Sequence, residues 1–183
     1  MIGRAGLIIV ALVASVSIAL ACGTERWAVK VGTDRDAGKV ATEPEMAMIA
    51  DLTGIVSPHN PNSRTSSRFA PTELKTFQIS GILKVIKKEA DQDYHLVIVD
   101  PNDNEETIIV ESPSPSCAGG SPFVQQITDV RKALDQKFGS FKRKTPNVPV
   151  TVTGIAFFDP IHGQEGVAPN GIELHPLLGI SFQ

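Results

Sequence analysis

The densest grouping of chemically capable side chains runs from Asp159 to Pro176 and holds Asp159, His162, Asn170, Glu173 and His175. Glu173 and His175 are two apart in a stretch that reads as a strand, so they share a face. That face is opposite Leu174 and therefore the outer face of any barrel. His162 lies ten residues before Ile172, and glycines at 163, 166 and 171 allow the intervening loop to return to its own base. Two imidazoles and two carboxylates brought together could ligate a divalent metal or exchange protons. The catalytic candidates are His162, Glu173 and His175, and the metal candidates add Asp159. The same residues suit a structural task equally well. Pro160, Pro169 and the Asn170-Gly171 turn shape a long connection, and Glu173 and His175 can tie it down. The structural reading is preferred, because the spacing matches no HExxH or similar metalloenzyme pattern.

A second group is Glu89, Asp91, Asp93 and His95, of which Asp93 and His95 share a strand face. Charges at a hairpin usually mark a solvated turn. Trp27, Asp93, His95 and Asn170 are the ligand-binding candidates. Glu73 and Glu111 attract no role by spacing. GxSxG, P-loop and dinucleotide patterns are absent from the sequence.

The elements that must position these groups are legible from residue 76 onward. Phe77, Ile79, Gly81, Leu83 and Val85 alternate with polar residues, predicting a long strand that Gly81 can bend. Tyr94–Val99 and Glu106–Glu111 are the second and third strands, joined by the turn residues of 100–104. Ser121-Pro122 opens a helix whose stripe is Phe123, Ile127, Val130, Leu134 and Phe138, and Gly139 closes it. Val148–Phe158 and Ile172–Phe182 are the last two strands. Three strands, a helix and two strands is the element order of an OB-fold, a five-stranded Greek-key barrel that is mostly β. The barrel domain is 76–183. Residues 22–75 form an N-terminal extension in which Trp27–Val31 reads as a short strand, Lys39–Ile55 as a helix or irregular cover, and 57–72 as a Pro/Ser/Asn-rich loop. The expected inward set is Ile79, Leu83, Leu96, Ile98, Val150, Val152, Leu174 and Ile180.

Residues 1–21 carry a single charge, Arg4, then an apolar run ending in Ala19-Leu20-Ala21, the form of a cleaved secretory signal peptide. The run is short for a membrane span. Cys22 would then be the first mature residue, and the expected location is secreted or periplasmic. The alternative is a lipoprotein anchored through Cys22, although Leu20 sits one place late for that motif. Without lipid no membrane partner is expected. The two cysteines, Cys22 and Cys117, read as a disulfide in an exported chain. Loss of residues 1–21 moves the net charge from −3 to −4. An acidic chain has no global field to attract nucleic acid, and strand three lacks the stacking aromatics of nucleic-acid barrels. No cofactor is expected, with a divalent metal as the alternative.

Three stretches, from Cys22 to Lys30, from Asp93 to Ile98 and from His162 to Pro176, resemble a group of uncharacterised bacterial secreted proteins. The resemblance implies no activity. It makes Trp27, His95, His162, Glu173 and His175 the positions to test first. The expected function is an exported binding or scaffold module without catalysis. The alternative is a secreted hydrolase, nuclease-like and metal-assisted, built on His162, Glu173 and His175. The exported protein should begin at Cys22 without lipid. N-terminal sequencing and intact mass check this, and an added diacylglyceryl group and fatty acid would contradict it.

Overall fold

The computed structural model describes residues 22–58 and 67–183, so the leader segment 1–21 and residues 59–66 of the Pro/Ser/Asn-rich loop lie outside the described residues. In chain order the helices and strands are α1 (Trp27–Val31), β1 (Glu45–Met46), α2 (Ile49–Thr53), β2 (Thr76–Lys88), β3 (Tyr94–Val99), β4 (Thr107–Ser112), α3 (Val124–Phe138), β5 (Arg143–Lys144), β6 (Val148–Phe158) and β7 (Ile172–Phe182). Strands β2-β3-β4-β7-β6 follow one another round a barrel that closes where β6 pairs with β2; β1 and β5 attach outside to β2. All neighbours in the ring are antiparallel except β4 and β7. This is the OB-like barrel expected from the element order.

One strand, β2, serves two sides of the barrel because it curls. Its first half pairs with β6 and its second half with β3, with an irregularity between Leu83 and Val85. Gly81 sits at the bend, where a Cβ would press on Ile98 and on the carbonyl of Val99. The irregularity also swaps faces, so Ile86 points inward while Val85 joins Val97 and Val99 in a small outer cluster. The predicted inward residues from Ile79 to Leu174 are all in the core, and Ile180 packs against it half-buried. In β7 two further irregularities put Leu174, Leu177, Ile180 and Phe182 with the barrel core and send Leu178, which strict alternation from Leu174 would turn inward, to a second outer cluster that includes Val31 and Ile155.

Helix α3 plugs one end of the barrel. Its stripe is divided: Val130 and Leu134 enter the barrel core, while Phe123 and Ile127 join an outer cluster with Val31, Ala37, Val40, Ala118 and Ile155. The helix begins at Val124, and Ser121 accepts a hydrogen bond from the Phe123 N–H in the preceding turn.

The N-terminal extension corrects the sequence expectation most clearly. Trp27–Val31 is one helical turn, stopped by Gly32 in the left-handed region (φ 71°). A Cβ at Gly32 would run into the Phe123 ring. Lys39–Ile55 is mainly irregular cover, containing β1 and α2. Two buried ion pairs hold the extension down. Arg26 donates to both carboxylate oxygens of Glu73, at 2.8 and 2.6 Å, and Arg68 donates to both of Asp34, at 3.2 and 2.8 Å. Glu73 also accepts the N–H groups of Phe69 and Phe158. Cys22 is disulfide-bonded to Cys117, and no described cysteine is free. The bridge spans 95 residues. In the chain-entropy view a loop of that length stabilises by about 4–5 kcal/mol.

Removing one partner of a buried bidentate pair leaves the other charge uncompensated. Glu73→Gln should therefore lower the unfolding free energy by about 3–5 kcal/mol. Urea denaturation of the oxidised protein checks this, and a change below about 1 kcal/mol would remove the pair from its assigned role.

Candidate functional site

The outer face of the barrel carries a polar row beneath the N-terminal extension. Strand order β3-β4-β7-β6 sets its sequence. His95 of β3 is the cross-strand partner of Glu111 of β4, and Glu173 and His175 follow on β7. Phe157 pairs with Glu173 in register on β6, and Asp159 lies two residues beyond it. Glu173 and His175 do point away from Leu174, as alternation requires. They are nevertheless 3% and 0% exposed. Helix α1 covers this face, so an outward side chain here is an interior one.

Hydrogen bonds link the row into one network. Glu111 sits between the histidines: His95 Nδ1 is 2.8 Å from its Oε1 and His175 Nδ1 is 3.1 Å from its Oε2. His175 Nδ1 is also 3.2 Å from Glu173 Oε1, and His175 Nε2 faces Asp93 Oδ2 at 3.5 Å. These last two atoms form no aligned hydrogen bond. His95 Nε2 donates to the carbonyl of Glu165 at 2.9 Å. Both nitrogens of each imidazole thus face acceptors, the arrangement that favours the imidazolium.

Protonation follows from burial and neighbours. Burial alone would depress His175, but its hydrogen bonds to Glu111 and Glu173 outweigh it and raise the pKa to about 9. His95 is raised for the same reason, against burial, by Glu111. Burial pushes Asp93 up to about 7. Glu173 is also pushed up to about 7, by burial and then by the Glu111 charge. Glu111 goes the other way: burial opposes ionisation, but the two histidines hold it well below the usual carboxylate range. Lys30 reaches Asp159 Oδ1 at 3.0 Å. Burial would lower its pKa, and Glu173, Glu111 and Asp159 together hold it above that of an ordinary lysine.

An open cleft of about 470 Å³ lies against this network. Trp27 and Lys30 line it from α1, Glu89 and Asp91 from the β2–β3 turn, Asp159 and His162 from the β6–β7 loop, and His95, Glu111 and Glu173 from the barrel. Trp27 and Lys30 share a side because they are three apart on a helical turn. A strand would have separated them.

Glu173, His175, Asp93 and His95 belong to the buried network. His162 does not join Glu173 and His175: it is exposed at the rim, 3.8 Å from Asp159 and grouped with Glu25. Asn170 spends its side chain on structure, donating to the carbonyls of Leu52 and Ile55 and accepting from the Ile172 N–H. The β6–β7 loop is further pinned by the bidentate Arg143–Glu165 pair and by Thr107 donating to the carbonyl of Gly166. Among the described residues two triads bring potential metal ligands within 4.8 Å: Glu25, Asp159 and His162 at the rim, and Asp93, Glu111 and His175 inside. In the inner triad carboxylates flank both edges of the His175 ring, which suits protons rather than one shared ion. Glu111 and Lys30 carried no signal in spacing, although the β3–β4 register sets Glu111 opposite His95.

No family model and no curated protein matches this chain. Among solved structures it is similar to an OBody bound to hen egg-white lysozyme, with 11% identity, a TM-score of 0.47, and coverage of 78% of this chain and 96% of that one. It is also similar to a chain from Leishmania major Friedlin named as an aspartyl-tRNA synthetase, with 12% identity, a TM-score of 0.44, and coverage of 78% of this chain and 21% of that one.

The raised groups set the pH response. A histidine whose folded pKa is about 9 contributes stability fully below 6.5 and loses it as the pH rises through 9. Glu173 and Asp93, raised to about 7, also favour the folded state when protonated and weaken it as pH rises through that value. The urea midpoint should fall steadily between pH 6.5 and 9, and His175→Gln should flatten that slope while lowering the midpoint at 6.5. A wild-type midpoint that rises over this interval would contradict the assignment.

Proposed function

We propose that this chain is an exported small binding module, non-enzymatic, that holds a ligand in the cleft between α1 and the barrel. The observation that carries this reading is the commitment of the groups behind the cleft. Both nitrogens of His95 and both carboxylate oxygens of Glu111 are engaged inside the protein, and His175 is fully buried. A general base or nucleophile needs a free lone pair within reach of a bound atom. What the cleft offers is a shaped wall held by a rigid polar support.

Export is supported by the disulfide, which fits an oxidising compartment. Among the described residues no helix is long and apolar enough to cross a membrane. The apolar leader read in residues 1–21 and cleavage before Cys22 complete this reading. A sulfur bonded to Cys117 is not available for a lipid thioether, which favours plain secretion over anchoring.

A second reading, a metal-assisted secreted hydrolase, is favoured by Glu173. It lines the cleft with a carboxyl group pushed up to about 7, the condition for proton exchange near neutral pH. Glu25, Asp159 and His162 at the rim would hold the ion. The two readings separate in one assay. Purified protein given DNA, RNA and aryl esters with magnesium, manganese or zinc should show no turnover beyond that of Glu173→Gln. Turnover lost in both Glu173→Gln and His162→Ala would replace the binding reading with the hydrolase.

A further inference from the structure

The carboxylates at the mouth of the cleft differ from those at its floor. At the floor, Asp159 has the Lys30 ammonium at 3.0 Å, Glu111 lies between two histidines, and Glu173 shares His175. At the mouth, Glu89 has Lys87 at 2.9 Å, but Glu25 and Asp91 have no cationic partner among the described residues. In all, six carboxyl groups line the cleft against Lys30, His95 and His162. Such a lining repels anions and concentrates cations.

Trp27 turns this charge into a shaped site. Its ring rests against Gly23, where a Cβ would overlap it. The Asp91 carboxylate lies 3.2 Å from that same Cβ position, so the Trp27 ring and a carboxylate without a cationic partner adjoin at the mouth. Deeper in, Asp159 is 5% exposed and its carboxylate is already held, by the Lys30 ammonium at 3.0 Å and by the Gln164 amide at 3.1 Å. An aromatic face beside carboxylates recognises ammonium and guanidinium groups by cation–π attraction and charge-assisted hydrogen bonds. A cleft of about 470 Å³ is of small-molecule size.

We infer that the cleft takes a small organic cation, a primary amine or guanidinium on a short apolar stem. Trp27 and Asp91 are its recognition pair. The inference rests on reading the cleft as a ligand site.

Trp27 is the sole tryptophan, so its emission reports on the site directly. The probe is agmatine, which carries an amine and a guanidinium on a short chain. Its counterpart is 4-guanidinobutyrate, in which a carboxylate replaces the amine. Agmatine should change Trp27 emission saturably. Binding should be at least about tenfold weaker for 4-guanidinobutyrate and for agmatine with Asp91→Asn. Asparagine retains the acceptor that takes the Asp93 N–H, and an unchanged melting temperature would confirm the variant's fold. Absence of a saturable response to agmatine, or equal affinity for both probes, would overturn the inference. Equal affinity would leave the binding reading standing. Displacement of agmatine by an equal concentration of calcium would make the mouth a metal site instead and also overturn it. Failure of the binding reading has a different signature, turnover that depends on Glu173.

Discussion

The arrangement depends on the buried pair between Arg26 and Glu73. Arg26 precedes α1, and Glu73 precedes β2, so the pair clamps the extension to the barrel at the point where the barrel begins. Arg26 holds a left-handed backbone (φ 47°), an uncommon conformation for a residue with a side chain. Its guanidinium lies between the Phe69 and Phe157 rings, 4.4 and 4.7 Å from their centroids, and also donates to the carbonyl of Phe158. Pairing, stacking and hydrogen bonding together make it favourable to bury this charge. With Arg26 seated, α1 has one position, and the disulfide fixes the chain just before it.

Everything unusual about the site follows from that cover. Histidines and carboxylates on the outer face of a barrel would ordinarily be solvated. Under α1 they must satisfy one another, and they do so with protons: two imidazolium rings and the Lys30 ammonium set against Glu111, Glu173, Asp93 and Asp159. The near-balance of charge is what permits burial. Glu111 is its pivot, the one carboxylate held by both histidines. The cleft is the gap that remains where the cover does not close, which is why its floor is neutralised and its mouth is acidic.

The barrel was legible in the sequence because its signals are local. Period-two alternation located β3, β6 and β7 to the residue, and the apolar stripe located α3, which starts two residues later than the Ser121-Pro122 signal places it. The face changes were not legible, since a single-residue irregularity such as that beside Val85 leaves the alternation intact while reversing its meaning. The turn at Trp27–Val31 was misread for the opposite reason: Trp27, Val29 and Val31 alternate, but Gly32 ends a helix there. Glu173 and His175 were rightly placed on the face away from Leu174 and wrongly expected in the open, because no local pattern shows that residues some 150 positions earlier will cover them. His162 was grouped with them because a ten-residue loop can return to its base. Here that loop is pinned by Asn170, Thr107 and Arg143, which leaves His162 at the rim. Glu73, Glu111 and Lys30 each sit alone among ordinary neighbours in the sequence, so their roles become visible only through long-range contacts.

The cover forces the two inner histidines to share protons with carboxylates. Nitrogen-15 NMR of the imidazole rings in the intact, oxidised protein at neutral pH tests it most directly. His95 and His175 should both appear as imidazolium, with two protonated nitrogens each, and His175 should keep its proton until about pH 9. A neutral ring at either position, or titration of His175 near 6.5 like an exposed histidine, would contradict the account.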